Sequence, residues 1–136
     1  MKLLMFTARR FWYRTFEKTL PEAPDQDQEE DLRDVVLAFI HVEPADAGDW
    51  AGVRTKLVKN IKWLANKWGF RKVLLHSFTH LAEGKAEPAL AQQMIEETAE
   101  RLRGAGYEVS VTPFGYLCEW DLHVYGESLG RVFKAL

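Results

Sequence analysis

Apolar positions along the chain follow two periods. Trp50, Val53, Leu57, Ile61, Leu64 and Trp68 recur at spacings of three and four residues, the stripe of an amphipathic helix. Asp49 stands where an N-cap belongs, and Gly69 where a helix passes into its left-handed final residue. Leu90, Met94, Thr98 and Leu102 mark a second helix, from Pro88 to Arg103, opened by proline and ended by Gly104 and Gly106. Val35 to Val42 is a nearly unbroken apolar run rich in β-branched residues, which predicts a central strand covered on both faces. Shorter strands are predicted at Leu3–Thr7, Val73–Leu75 and Tyr107–Val111, with an aromatic extended segment at Phe11–Phe16. Trp120, Leu122 and Val124 alternate with Asp121, His123 and Tyr125, the pattern of a half-exposed strand. Residues 21–34 hold two prolines, many acids and few apolar side chains, and are predicted to form an exposed acidic loop. Gly126 turns the chain into a short C-terminal helix that ends near Leu136.

The predicted order is β, β, β, α, β, α, β, β, α. Helices that cross between strands indicate an α/β fold, bordering on α+β, with a mixed β-sheet, two main helices and a short C-terminal helix. At 136 residues, one domain spanning 1–136 is expected. The 47% apolar content supplies a core. A net charge of −2 excludes a strongly basic, histone-like nucleic-acid binder, and no DNA partner is expected. A single cysteine, Cys118, excludes an internal disulfide framework and suits a cytoplasmic setting. No apolar run approaches the roughly 20 residues that span a bilayer, so no membrane partner is expected. Met1–Phe6 is broken by Arg9 and Arg10 before it resembles a signal peptide, and reads as a buried first strand.

Chemistry concentrates in two loops that follow strands. The first is His76-Ser77-Phe78-Thr79-His80-Leu81, between an apolar run and the helix opened by Pro88. The second is Pro113-Phe114-Gly115-Tyr116. Loops at strand ends of open α/β sheets often hold ligands, and the two are expected to face each other across one pocket. There is no phosphate-binding glycine loop, no His-Glu-x-x-His metal motif and no Gly-x-Ser-x-Gly nucleophile elbow. His76 and His80 lie four apart in a strand-to-loop segment, where that spacing does not set them side by side, and no third metal ligand is marked. Neither a metal nor a cofactor is expected. His80 and Cys118 are the candidate catalytic side chains, Cys118 as a nucleophile.

Taken together, Phe78-Thr79-His80-Leu81, Pro88 opening a helix, Gly104-Ala105-Gly106-Tyr107 and Thr112-Pro113-Phe114-Gly115-Tyr116 resemble the N-terminal editing domain of archaeal-type threonyl-tRNA synthetases. Met1–Thr7 and Ala38–Glu43 are similar to its first and central strands. The resemblance implies a fold like that of D-aminoacyl-tRNA deacylases, commonly homodimeric, and hydrolysis of serine misattached to threonine tRNA. It places the 3′ end of aminoacyl-tRNA between the loops, with Phe78, Thr79 and His80 lining the aminoacyl pocket and Pro113, Phe114, Gly115 and Tyr116 as the facing wall. In that family the protein positions a water and the ester, with help from the substrate's 2′-OH. This chain departs from the family pattern at several positions. Cys118 stands where the family has a lysine, Leu117 where it often has an aromatic residue, Ser77 where it has a proline and Arg131 where it has an acid. Arg131 and Lys134 are candidates for supplying the missing charge. Two further readings stay open: a binding module of the same fold that recognises an aminoacyl or nucleoside ligand or a partner protein without hydrolysis, and an unrelated hydrolase using His80 or Cys118. With no room for an aminoacylation domain in 136 residues, action in trans as a freestanding editing protein is expected.

Overall fold

The N-terminal apolar alternation forms one strand, not two. In the computed structural model, which describes residues 1–136, β1 runs without a break from Lys2 to Lys18. Leu3 and Met5 pack into the core beneath the helices, whereas Ala8, Phe11 and Tyr13 pack into a second core on the other face of the sheet. A register irregularity between Ala8 and Arg10 accounts for the switch, because one extra residue carries every later side chain to the opposite face. Arg9 sits at that irregularity with its guanidinium over the Tyr125 ring, 4.6 Å from the centroid.

Five more strands complete the sheet: β2 (Glu29–His41), β3 (Lys72–Ser77), β4 (Glu108–Val111), β5 (Tyr116–Val124) and β6 (Arg131–Ala135). Their order is β4-β3-β2-β1-β5, and β6 also pairs with β1. β1 divides between two partners: Lys2–Phe6 pairs with β6 and Ala8–Lys18 with β5. β2, β3 and β4 are mutually parallel, while β1 is antiparallel to β2, β5 and β6. The sheet is therefore mixed, as predicted. α1 (Trp50–Trp68) joins β2 to β3, and α2 (Pro88–Gly104) joins β3 to β4. Such crossovers are the ordinary way to connect parallel neighbours.

Both helices contribute to one core against the sheet, with Val53, Leu57, Ile61 and Leu64 from α1 and Met94, Ile95 and Leu102 from α2. β2 is buried on both faces. Val36, Ala38 and Ile40 meet the helices, while Val35, Leu37 and Phe39 meet the second core. Gly69 closes α1 at φ 69°, and its N–H donates to the Ala65 and Asn66 carbonyls.

Two further expectations are corrected. The acidic loop is shorter than predicted, because Glu29–Asp34 belong to β2. These polar residues are held in the ladder by partners on β1 that one-dimensional patterning does not reveal. Arg10 Nε and Nη2 donate to the two Asp31 oxygens at 3.1 Å, Tyr13 Oη donates to Glu30 at 2.8 Å and Trp12 Nε1 donates to Glu29. The chain also ends in a strand, not a short helix: a 3₁₀ turn at Ser128–Gly130 leads into β6. Gly130 is buried, and a Cβ there would lie 2.2 Å from the Tyr125 carbonyl oxygen. The turn brings Arg131–Ala135 onto the free edge of β1, where backbone pairing is available.

Candidate active site

The C-terminal ends of β3 and β4 lie side by side, since β3 and β4 are parallel and in register from Lys72–Glu108 to Leu75–Val111. The loops that follow them must therefore emerge together. Phe78 N–H donates to the Ile40 carbonyl at 3.0 Å, and Thr112 N–H to the Leu75 carbonyl at 3.2 Å, so each loop starts from a fixed point.

Between them lies a cleft of about 200 Å³. Phe78, Thr79 and His80 line one side, and Pro113, Phe114, Gly115 and Tyr116 the other, with Cys118 on β5. All eight site residues expected from the sequence are brought to this cleft. It also includes residues that sequence reasoning missed: Thr19 and Leu20 from the chain after β1, Lys85 from the β3–α2 loop, and Trp120 on β5. The first two arrive through a backbone contact, Thr19 N–H to the Gly115 carbonyl at 2.7 Å, which leaves no mark in side-chain patterning. Trp120 is held by ring contacts with Phe39 and Phe78, at centroid distances of 5.3 and 6.5 Å. The sequence pattern marks it only as one apolar position of a strand.

The second loop is shaped by Gly115, at φ 84°, a left-handed conformation that only glycine adopts without strain. Tyr116 then holds the shortened acidic loop: its hydroxyl accepts from Gln26 N–H and donates to the Pro24 carbonyl, both at 2.8 Å. The first loop is held from β2. Leu81 N–H donates to His41 Nδ1 at 3.1 Å, His41 Nε2 lies 2.7 Å from the Gly84 carbonyl, and Ala86 N–H donates to the Val42 carbonyl at 2.9 Å.

His76 forms part of the cleft floor. Its Nδ1 lies 2.8 Å from Thr112 Oγ1, and its ring packs against Phe39 at 5.0 Å. Burial pushes its pKa down to about 4, so the imidazole is neutral at pH 7. Burial also raises the Cys118 thiol above its ordinary range, which keeps it protonated, the form that is neither nucleophile nor metal ligand. His80 is exposed and stands edge-on to Phe78 at 5.1 Å. No three His, Cys, Asp or Glu side chains come together as a metal-binding group. Arg131 and Lys134 do not reach the cleft. Arg131 Nη2 donates to the Tyr125 carbonyl at 3.1 Å, and Lys134 Nζ lies 5.8 Å from the centre of the Trp63 ring. The cations of α1, Arg54, Lys56, Lys59, Lys62 and Lys67, do not line the cleft either, and Arg54 pairs with Glu97 of α2.

A family sequence model described as the Archaea-specific editing domain of threonyl-tRNA synthetase matches residues 1–136. The chain belongs to this family. It is 31% identical over 140 residues to a threonine–tRNA ligase of Hyperthermus butylicus, covering 98% of this chain and 22% of that protein. It is 31% identical over 139 residues to a threonine–tRNA ligase of Thermococcus kodakarensis, covering 100% of this chain and 22% of that protein. The chain thus spans 22% of the length of these curated relatives. Among solved structures, the c-Myc DNA unwinding element binding protein is similar with a TM-score of 0.67 over 100% of this chain and 99% of that one, at 12% identity. That likeness is one of fold, and the architecture is the α/β, D-aminoacyl-tRNA deacylase-like arrangement expected from the sequence. In general terms, the role of an editing domain of this family is tRNA editing.

Proposed function

We propose that this editing domain hydrolyses the ester of misacylated tRNA, with seryl-tRNA for threonine as its substrate. The single observation that carries this reading is that the histidine loop and the Pro-Phe-Gly-Tyr loop close on one cleft. The aminoacyl group sits against Phe78, Thr79 and His80, the terminal adenosine lies against Pro113–Tyr116, and a water attacks the ester carbonyl. That water's proton passes to the departing ribose oxygen by way of the substrate's 2′-OH. The protein holds the reactants in place, an effect worth about 7–11 kcal/mol where the geometry is close to that of attack. A protonated Cys118 gives no support to a covalent intermediate.

Deacylation of seryl-tRNA and threonyl-tRNA by this chain added in trans is the direct test. The expected result is loss of serine with threonine retained, and a slower reaction for His80→Ala. A second reading, binding without hydrolysis, is favoured by one observation: burial holds the Cys118 thiol protonated and uncharged, at the position where the resemblance implies a lysine. Tight binding of a seryl-adenosine amide with no turnover of seryl-tRNA would establish it. The proposal includes a cytoplasmic homodimer; Phe16, 72% exposed, and Leu117, 51% exposed, are apolar side chains without cover. Sedimentation equilibrium tests the dimer. No helix is long and apolar enough to cross a membrane.

A further inference from the structure

Resting on that reading, we propose that Lys85 binds the 5′-phosphate of the terminal aminoacyl-adenosine, and that buried His41 is the positioning residue that holds Lys85 at the mouth of the cleft. Lys85 is the single Lys or Arg among the residues lining the cleft, and no Asp or Glu lines it. Lys85 takes part in none of the ion pairs of the structure. A phosphate entering here meets one unpaired ammonium and no opposing carboxylate. Lys85 itself is exposed, which puts its charge at the rim, where the sugar–phosphate chain of a bound acceptor end leaves, and away from the ester.

The loop that carries Lys85 is fixed on both sides of it. Leu81 N–H donates to His41 Nδ1, so that nitrogen bears no hydrogen and Nε2 carries the proton it donates to the Gly84 carbonyl. His41 is fully buried, and one tautomer satisfies both bonds. After Lys85, Ala86 N–H is tied to the Val42 carbonyl. The residues before and after the lysine are thus anchored to the end of β2, and only its side chain is free to follow the ligand. This relocates the cleft's cation. Cys118 on β5 stands where the resemblance implies a lysine, and the cation that lines this cleft is on the β3–α2 loop instead.

The test is calorimetric titration of the chain with 3′-seryl-amido-3′-deoxyadenosine, with and without a 5′-phosphate, at low and moderate salt. The parent is expected to bind the phosphorylated form about three- to fivefold more tightly, the scale of one exposed ion pair, with the preference shrinking as salt rises. Lys85→Gln brings the phosphorylated form down to the affinity of the unphosphorylated one. His41→Leu loses the preference as well, and His41→Gln, whose amide can both accept from Leu81 and donate to Gly84, restores it. The Lys85→Gln and His41→Leu effects are not additive in the double variant. Persistence of the full preference in Lys85→Gln overturns the assignment, and so does a parent that binds both forms equally. A parent that binds neither form overturns the aminoacyl-adenosine reading itself, and the two failures are distinguishable. Circular dichroism checks folding of the His41 variants, and Lys85→Gln, an exposed change, keeps the test decisive if they unfold.

Discussion

Gly115→Ala separates the two things the Pro-Phe-Gly-Tyr loop does. At φ 84° an alanine carries a backbone penalty of about 1–2 kcal/mol. Its new methyl would also stand 3.1 Å from Ala23 Cβ and 3.2 Å from the Leu20 side chain, so the acidic loop must shift, at a further cost of about 1–2 kcal/mol. Gly106 provides the control, since it has φ 93° with nothing within 4 Å of a built Cβ. It reports the backbone penalty alone, away from the cleft. For a chain of 136 residues, an unfolding entropy of about 0.3 kcal/mol/K turns these figures into a Tm loss of about 3–7 °C for Gly106→Ala and about 7–14 °C for Gly115→Ala. Calorimetry measures both. Deacylation of seryl-tRNA, assayed well below either Tm, should fall about tenfold or more for Gly115→Ala, because Leu20 and the Gly115 carbonyl leave their places at the cleft wall. It should hold for Gly106→Ala. Equal Tm values for the two variants, or undiminished turnover by Gly115→Ala, would refute the claim that close approach of residues 20–23 shapes the site.

Cys118→Ala should slow deacylation by less than about tenfold, because a protonated thiol is not the nucleophile; removal of a covalent nucleophile costs orders of magnitude more. Cys118→Lys should raise the rate, with an upper range of about 100- to 1000-fold for a charge that meets the developing oxyanion, and an unchanged rate removes this position from the mechanism. His76 sets an acid limit on stability. Its folded pKa of about 4 lies below the ordinary value of 6.5, so the unfolded chain binds more protons between these values and stability falls as pH drops from about 6.5 to 4. The full effect is up to about 3 kcal/mol. Urea midpoints across this range should show the decline, and His76→Gln, which does not titrate, should flatten it.

The α1 stripe was legible because a helix with one buried face writes its own period into the sequence: Val53, Leu57, Ile61 and Leu64 are all buried. β2 was legible for the opposite reason, since burial on both faces removes alternation and leaves an apolar run. Both site loops were legible as well, one through its histidines and the other through Pro-Phe-Gly-Tyr. The missing parts depend on partners distant in sequence. Glu29–Asp34 look like a solvated acidic loop until Arg10, Trp12 and Tyr13 are placed beside them. Arg131–Ala135 pair with Lys2–Phe6 from the other end of the chain. Leu20 enters the cleft because of the backbone at Gly115, and Lys85 because His41 holds its loop. Patterning reports which side of an element is buried, but it does not report which strand edge a segment finds.

The chemistry of the cleft follows from how little charge it contains. His76 is held neutral by burial, the Cys118 thiol is held protonated, and no carboxylate lines the walls. An ester placed here meets hydrogen-bonding groups and aromatic rings, not a strong base or a nucleophile. Rate enhancement in such a site must come from placement of the water, the 2′-OH and the carbonyl, and placement is only as good as the rigidity of the walls. The observed restraints give the walls that rigidity. The first loop is tied by Phe78 to Ile40, by Leu81 and Gly84 to His41 and by Ala86 to Val42. The second is tied by Gly115 to Thr19 and by Tyr116 to Pro24 and Gln26. Most of these bonds use backbone atoms, so substitutions in the tethering strands and in the acidic loop should alter turnover as strongly as substitutions among the lining side chains. A site built on a nucleophile would show the reverse, with activity concentrated in one or two side chains and tolerant of changes in the loops around them.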